Sequence, residues 1–222
     1  MRKTQLVNGE FYHIYNRGAD KRAIFGDEYD IKRFFQSMDE FNILKPIGSI
    51  YRNNLLINKN LRRPTSQVPK LVNFICFCLN PNHYHFIMEQ ITDNGISEFM
   101  KRLGGGYTKY FNEKYKRSGV LFQGRFKSAH INSDEYLLHL SAYVNLNNHV
   151  HKLKGSKVQF IKSSWEEYVG RSQENFCKKD IILKQFNNSK EYIDFAKSSL
   201  ENIIKRKEAM SDLLIETLDV SI

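Results

Sequence analysis

Leu71-Val72-Asn73-Phe74-Ile75-Cys76-Phe77-Cys78-Leu79-Asn80-Pro81-Asn82-His83-Tyr84-His85-Phe86-Ile87-Met88 decides the fold class of this chain. Leu71 to Leu79 is apolar enough for a strand covered on both faces, whose side chains see no water. Asn80-Pro81-Asn82 supplies a tight turn, because proline presets one backbone angle and asparagine tolerates turn geometry. His83 to Met88 then reads as the hairpin partner of the first strand. Within it, His83 and His85 project to the same side, about 7 Å apart at Cα. That spacing lets both imidazoles reach one metal ion. Surface histidines or satisfied core histidines would show the same spacing.

Reading outward from the hairpin, Phe11 to Arg17 alternates as a strand that Gly18 ends. Asp27 caps a helix carrying Tyr29, Ile31, Phe34, Phe35, Met38 and Phe41, closed by Pro46 and Gly48. Residues 49–69, with four asparagines and Arg62-Arg63-Pro64, read as an exposed basic loop inserted before the hairpin. A second helix, capped near Asn94 or Ser97, carries Ile96, Phe99, Met100, Leu103, Tyr107, Tyr110 and Phe111. Gly104-Gly105-Gly106 interrupts its stripe and predicts a kink or a close backbone approach. Gly119 to Ile131 reads as a further strand, and Ser133-Asp134-Glu135 starts a helix through about Asn148, with acidic residues in the favoured first turn. The order strand, helix, strand, strand, helix, strand predicts an α+β fold. It is ferredoxin-like, a split β-α-β antiparallel sheet with helices on one face, plus a helical C-terminal extension. The domain spans residues 1–152 and the extension residues 153–222, opening on the linker-like Gly155-Ser156-Lys157.

The chain has 222 residues, 41% hydrophobic and 13% aromatic, enough to bury one good core. Its formal net charge is +10, which favours a polyanionic partner: nucleic acid first, an anionic membrane surface second. No apolar stretch approaches the roughly 18 residues of a membrane span, and no signal-like segment follows Met1, so a cytoplasmic location is expected. Three cysteines make no disulfide framework, and Cys76 and Cys78 read as buried strand residues.

The helix that opens at Ser133 places Tyr136, Leu140, Tyr143 and Asn147 on one stripe. Tyr143 and Asn147 stand one turn apart, about 6 Å along the axis. A core tyrosine and a C-terminal cap account for both. A tyrosine nucleophile beside an oxygen ligand for a hard metal is the sharper reading.

Several stretches together carry a family resemblance. They are Phe11-Tyr12-His13-Ile14-Tyr15-Asn16-Arg17-Gly18, Cys78-Leu79-Asn80-Pro81-Asn82-His83-Tyr84-His85, Gly106-Tyr107-Thr108-Lys109-Tyr110-Phe111-Asn112, Ser118 to Ser128 and Tyr143-Val144-Asn145-Leu146-Asn147. His83-Tyr84-His85 resembles the signature of HUH endonucleases. The whole of roughly residues 7–150 is similar to the single-tyrosine insertion-sequence transposases, in particular the REP-associated tyrosine transposase group. The resemblance implies an endonuclease and strand transferase that cuts single-stranded, hairpin-containing DNA through a 5′-phosphotyrosine. Tyr143 maps to the nucleophile, and His83, His85 and Asn147 map to the ligands of Mg²⁺ or Mn²⁺. That family often has Asn-Pro at Asn147-Asn148, and usually Met at Asn80.

Arg17, Arg102, Lys109, Lys116, Arg117, Arg125 and Lys127 are the candidate DNA-binding cations, with aromatic neighbours for base stacking. For each of them a solvated surface position is the alternative. A monomer or a homodimer fits this group. A domesticated protein that binds hairpin DNA or RNA and no longer cuts is the competing reading.

Overall fold

The computed structural model describes residues 5–58, 68–150 and 160–219, with side chains through residue 206. β1 (Phe11–Arg17), β2 (Val72–Asn80), β3 (His83–Gln90), β4 (Lys127–Ile131) and β5 (Lys162–Ser163) form one sheet, ordered β4-β1-β3-β2-β5. Every pairing is antiparallel. The first four strands follow the expected ferredoxin-like order, and β5 extends the sheet beyond β2 with residues from the C-terminal extension.

The crossover helices α1 (Glu28–Glu40) and α3 (Gly95–Lys114) pack on one face, as the split β-α-β reading predicts. Tyr12, Ile14, Phe74, Phe77, Tyr84 and Phe86 meet Phe34, Phe99, Leu103 and Tyr107 there. Helices also cover the opposite face. Ile75, Cys76, Cys78 and Ile87 lie beneath Leu137, Leu140 and Val144 of α4 (Asp134–Asn145). Tyr168 of α6 (Trp165–Tyr168), Ile182 of α7 (Asp180–Leu183) and Tyr192 and Ala196 of α8 (Ser189–Asp219) complete that second core. The two faces separate because β2 carries a bulge between Phe74 and Cys76. One extra residue shifts the alternation, so Phe74 and Phe77 share the α1/α3 core while Ile75 and Cys76 both turn to the other. Both strand cysteines are buried and free, as expected.

α1 begins where the sequence places it. Asp27 accepts from the Asp30 amide, and the Asp30 side chain accepts from the Asp27 amide. Each satisfies a helix-terminal donor that would otherwise lack a partner.

Three local expectations are corrected. The loop read at 49–69 begins with a helix, α2 (Ile50–Asn58). Its asparagines find tertiary partners: Asn53 donates to Glu40, and Asn54 accepts from Gln36. Arg62 and Arg63, like the linker at Gly155-Ser156-Lys157, lie outside the described residues. The strand read at Gly119–Ile131 starts only at Lys127, because Gly119 (φ 85°) and Gly124 (φ 67°) turn the backbone into the left-handed region. Leu121 and Phe122 anchor that loop in the α1/α3 core. The helix opening at Ser133 stops at Leu146 (φ −109°, ψ 17°), and Asn147 starts a separate turn, α5 (Asn147–Val150).

Candidate active site

Strand register assembles the site. On the α4 face, Cys78, His85, Tyr15 and Lys127 line up across β2, β3, β1 and β4. Asn80, His83 and Arg17 form the neighbouring row. α4 lays Tyr143 over these rows, its ring 5.5 Å from that of His85 and nearly perpendicular to it. Together Tyr143, His83, His85, Tyr15, Arg17 and Lys127 line a cavity of about 390 Å³ that Asn82 and Gln123 also border.

Asn147 is fully buried and does not border the cavity. Its Oδ1 is 3.1 Å from His83 Nε2. The other ring nitrogen of His83, Nδ1, is 2.7 Å from Asn82 Oδ1. Both ring nitrogens of His83 thus face amide oxygens, which only accept. His85 Nδ1 is 2.9 Å from Nε2 of His13. Burial pushes His13 down to about 4, so at neutral pH it is an uncharged imidazole that can donate or accept the hydrogen bond with His85. A hydrogen bond donated there by His85 would leave the lone pair on its Nε2, the outer hydrogen bond that histidine ligands of metals make. Tyr15 stacks on both His13 and His85.

Two imidazole nitrogens and an amide oxygen suit a borderline divalent cation better than Mg²⁺ alone, which prefers oxygen. The residues therefore fit a metal. Among the described residues, no group of three or more His, Cys, Asp and Glu side chains could hold one. The candidate set depends on Asn147.

Burial raises the Tyr143 phenol, and a hydrogen bond with Asn147 partly offsets this. Tyr143 is thus a neutral phenol at neutral pH. Tyr136, the other tyrosine on that helical stripe, is 39% exposed and does not border the cavity.

The candidate DNA cations fall into different places. Arg17 and Lys127 border the site cavity; Arg17 donates to Gln123, and Lys127 sits 6.0 Å from the Tyr15 ring centre. Arg125 and Lys109 line a separate cavity of about 1330 Å³ between α3 and the 120–126 loop. Arg125 belongs to that loop and not to a strand as expected. Arg102 serves the fold: it pairs with Glu98 and donates to the carbonyls of Phe41, Ile43 and Leu44. Arg117 likewise ties Asn112 to the Val120 carbonyl. Lys116 occupies a turn with φ 50°.

The sequence alone gives His13, Tyr15, Asn80 and Gln123 no role in the site. Parity on β1 puts His13 and Tyr15 on one side. Only the β1–β3 register shows that it is the side of His85.

A ferredoxin-like α+β sheet, with helices on both faces and a tyrosine laid over a His-x-His strand, is the class this molecule falls in. Within it, residues 51–147 match the family model described as "Transposase IS200 like". The chain is also similar to a solved structure described as a REP-associated tyrosine transposase bound to a REP hairpin. The TM-score is 0.47 at 12% identity, covering 79% of this chain and 88% of that one. No curated protein matches it. No helix among the described residues is long and apolar enough to cross a membrane.

Proposed function

We propose that this protein is a metal-dependent endonuclease and strand transferase that cuts and rejoins single-stranded, hairpin-containing DNA, with Tyr143 as the nucleophile. One observation carries the reading: the phenol of Tyr143, the His83-x-His85 pair and the cations Arg17, Lys21 and Lys127 share one solvent-reached cavity, with Asn147 bonded to His83. The match of residues 51–147 to a transposase family supports it.

A phosphodiester entering the cavity brings negative charge, which Arg17 and Lys127 attract and position. His83, His85 and Asn147 would hold Mg²⁺ or Mn²⁺. When bound, such an ion neutralises the charge that builds on the phosphate oxygens. The phenol Oη of Tyr143 attacks phosphorus in line and gives up its proton. The bond from phosphorus to the 3′ oxygen breaks, and that oxygen leaves as a 3′-hydroxyl after taking up a proton. The 5′ phosphate remains esterified to Tyr143. Because the ester keeps the bond energy, attack by another 3′-hydroxyl rejoins the strand and restores the phenol without an external energy source. His13 acts at one remove, holding the His85 ring in place.

The test incubates the chain and its Tyr143→Phe variant with labelled hairpin DNA carrying a single-stranded tail, in Mn²⁺. The wild type should give a denaturation-resistant adduct and the variant none. An adduct from the variant would sink the nucleophile assignment. Cleavage without any adduct would mean hydrolysis by water.

A further inference from the structure

The cavity of about 1330 Å³ between α3 and the 120–126 loop adjoins the Tyr143 cavity, and Asn16 borders both. The loop is the wall between them: Gln123 faces the Tyr143 cavity, while Phe122 and Gly124 line the larger one. Backbone bonds from Ala19 to the Leu121 carbonyl (2.9 Å) and from Gln123 to the Arg17 carbonyl (2.8 Å) fix that wall to the end of β1. Arg125 lines the larger cavity and Lys127 the smaller. Two residues of chain span at most about 7 Å, so a cationic path runs from one cavity to the other.

The far wall is one face of α3, where Lys101, Gly104, Gly105, Thr108 and Lys109 recur at helical spacing. A Cβ on Gly104 or Gly105 would meet no heavy atom within 4 Å, so no neighbour requires either to be glycine. Glycine inside a helix still costs stability relative to alanine, and it suits places where a ligand comes close to the backbone. Single strands bind where cations track the backbone and apolar surface receives the bases. Half-buried Phe126 and Val120, 70% exposed, supply that surface. Lys101 and Lys109 reach only the exposed carboxylates of Glu98 (4.0 Å) and Glu113 (3.8 Å). Such surface pairs contribute little and leave both lysines available to phosphate.

From this geometry we infer that the larger cavity is a second subsite for single-stranded DNA, holding unpaired nucleotides that neighbour the one cut at Tyr143. The strand leaves the Tyr143 cavity past Asn16 and Gly124 and lies against the bare surface of α3 at Gly104 and Gly105. The inference rests on the DNA-cleaving reading above and adds the course of the strand beyond the cut.

The test measures binding of the full chain, by fluorescence anisotropy, to a labelled hairpin whose single-stranded tail is lengthened stepwise at the 5′ or the 3′ end. The covalent adduct is scored on the same DNAs in Mn²⁺. In the wild type, affinity should go on rising past the tail length that first gives an adduct. Gly104→Leu puts a side chain into the cavity and should melt at or above the wild-type temperature. It should lose the further rise, binding the longest tail on the order of tenfold more weakly. The tailless hairpin should bind it as it binds the wild type. Arg125→Ala should make the salt slope shallower by about 0.7 on long tails and leave it unchanged on short ones. An equal gain with tail length in the wild type and Gly104→Leu overturns the subsite. Weaker binding of the tailless hairpin by Gly104→Leu also overturns it, because the duplex stem would then lie there. In both cases a normal adduct leaves the cleavage reading standing. A wild type that gives no adduct on any tail overturns the cleavage reading, while the comparison of tail lengths still decides the subsite. If Gly104→Leu melts below the assay temperature, Arg125→Ala decides alone.

Discussion

His13 shows how one buried side chain can tune a site it does not enter. Its ring is 8% exposed, and burial lowers it from 6.5 to about 4. The unfolded chain therefore binds a proton below pH 6.5 that the folded chain refuses. By linkage, folding stability is at its full value above pH 6.5 and falls as pH drops toward 4. A depression of this size is worth about 3 kcal/mol. Urea unfolding of wild type and His13→Gln between pH 7 and 4 checks it. The wild type should lose about 3 kcal/mol more than the variant across that window. Parallel curves would mean that His13 is not held neutral. The histidine pair, Tyr143 and Asn147 were legible in the sequence because strand and helix spacings place them and the surrounding motifs carry a resemblance. His13 was not, since alternation gives a side chain its face but not its neighbour across the strand. The carbonyls that Arg102 and Arg117 meet were illegible for a related reason, since they depend on which segment folds back onto each cation.

Among the elements, α3 tests how far composition can be trusted. Gly104-Gly105-Gly106 predicts a kink or a close approach, and the helix runs unbroken from Gly95 to Lys114. Only the last of the three has a steric reason to be glycine. A Cβ on Gly106 would meet the Phe41 ring at 2.6 Å, whereas one on Gly104 would meet nothing within 4 Å. Substitution two residues apart should thus have opposite signs. Gly104→Ala should stabilise the fold by up to about 1 kcal/mol, since alanine loses less backbone freedom in a helix. Gly106→Ala should destabilise it by roughly 1–3 kcal/mol, by forcing Phe41 out of its place between α1 and α3. Thermal melts of the two variants read both signs, and a stabilised Gly106→Ala would show that Phe41 yields freely. The close-approach half of the expectation holds at one glycine. The break between α4 and α5 escaped the sequence because Leu146 is a good helix former. There the break is held by Asn145, which donates to Tyr192 and accepts from Ser164, partners 47 and 19 residues away.

At the scale of the whole molecule, the β-α-β-β-α-β order was readable, since strand and helix periodicities mark each element. The covering of the second sheet face was not. The apolar stripe of α8 declares that it packs, but not on what; Tyr192 and Ala196 reach α4 and the face behind it. The net charge of +10 is likewise a property of the whole whose use depends on placement. Cations that meet phosphates release counterions, so binding to single-stranded DNA should weaken with salt. Each neutralised phosphate contributes a slope of about −0.7 in log K against log salt. Arg17 and Lys127 border the site cavity, so Arg17→Ala and Lys127→Ala should each make that slope shallower by about 0.7. Arg102 and Arg117 spend their donors on Ile43, Leu44, Asn112 and Val120. Arg102→Ala and Arg117→Ala should keep the wild-type slope and lower the melting temperature instead. Fluorescence anisotropy of a labelled hairpin with a single-stranded tail, titrated with protein at several KCl concentrations, gives all four slopes. A changed slope in the second pair with no loss of stability would reassign those arginines to the DNA. An unchanged slope in the first pair would move the phosphate path away from Tyr143, toward the larger cavity lined by Lys109 and Arg125.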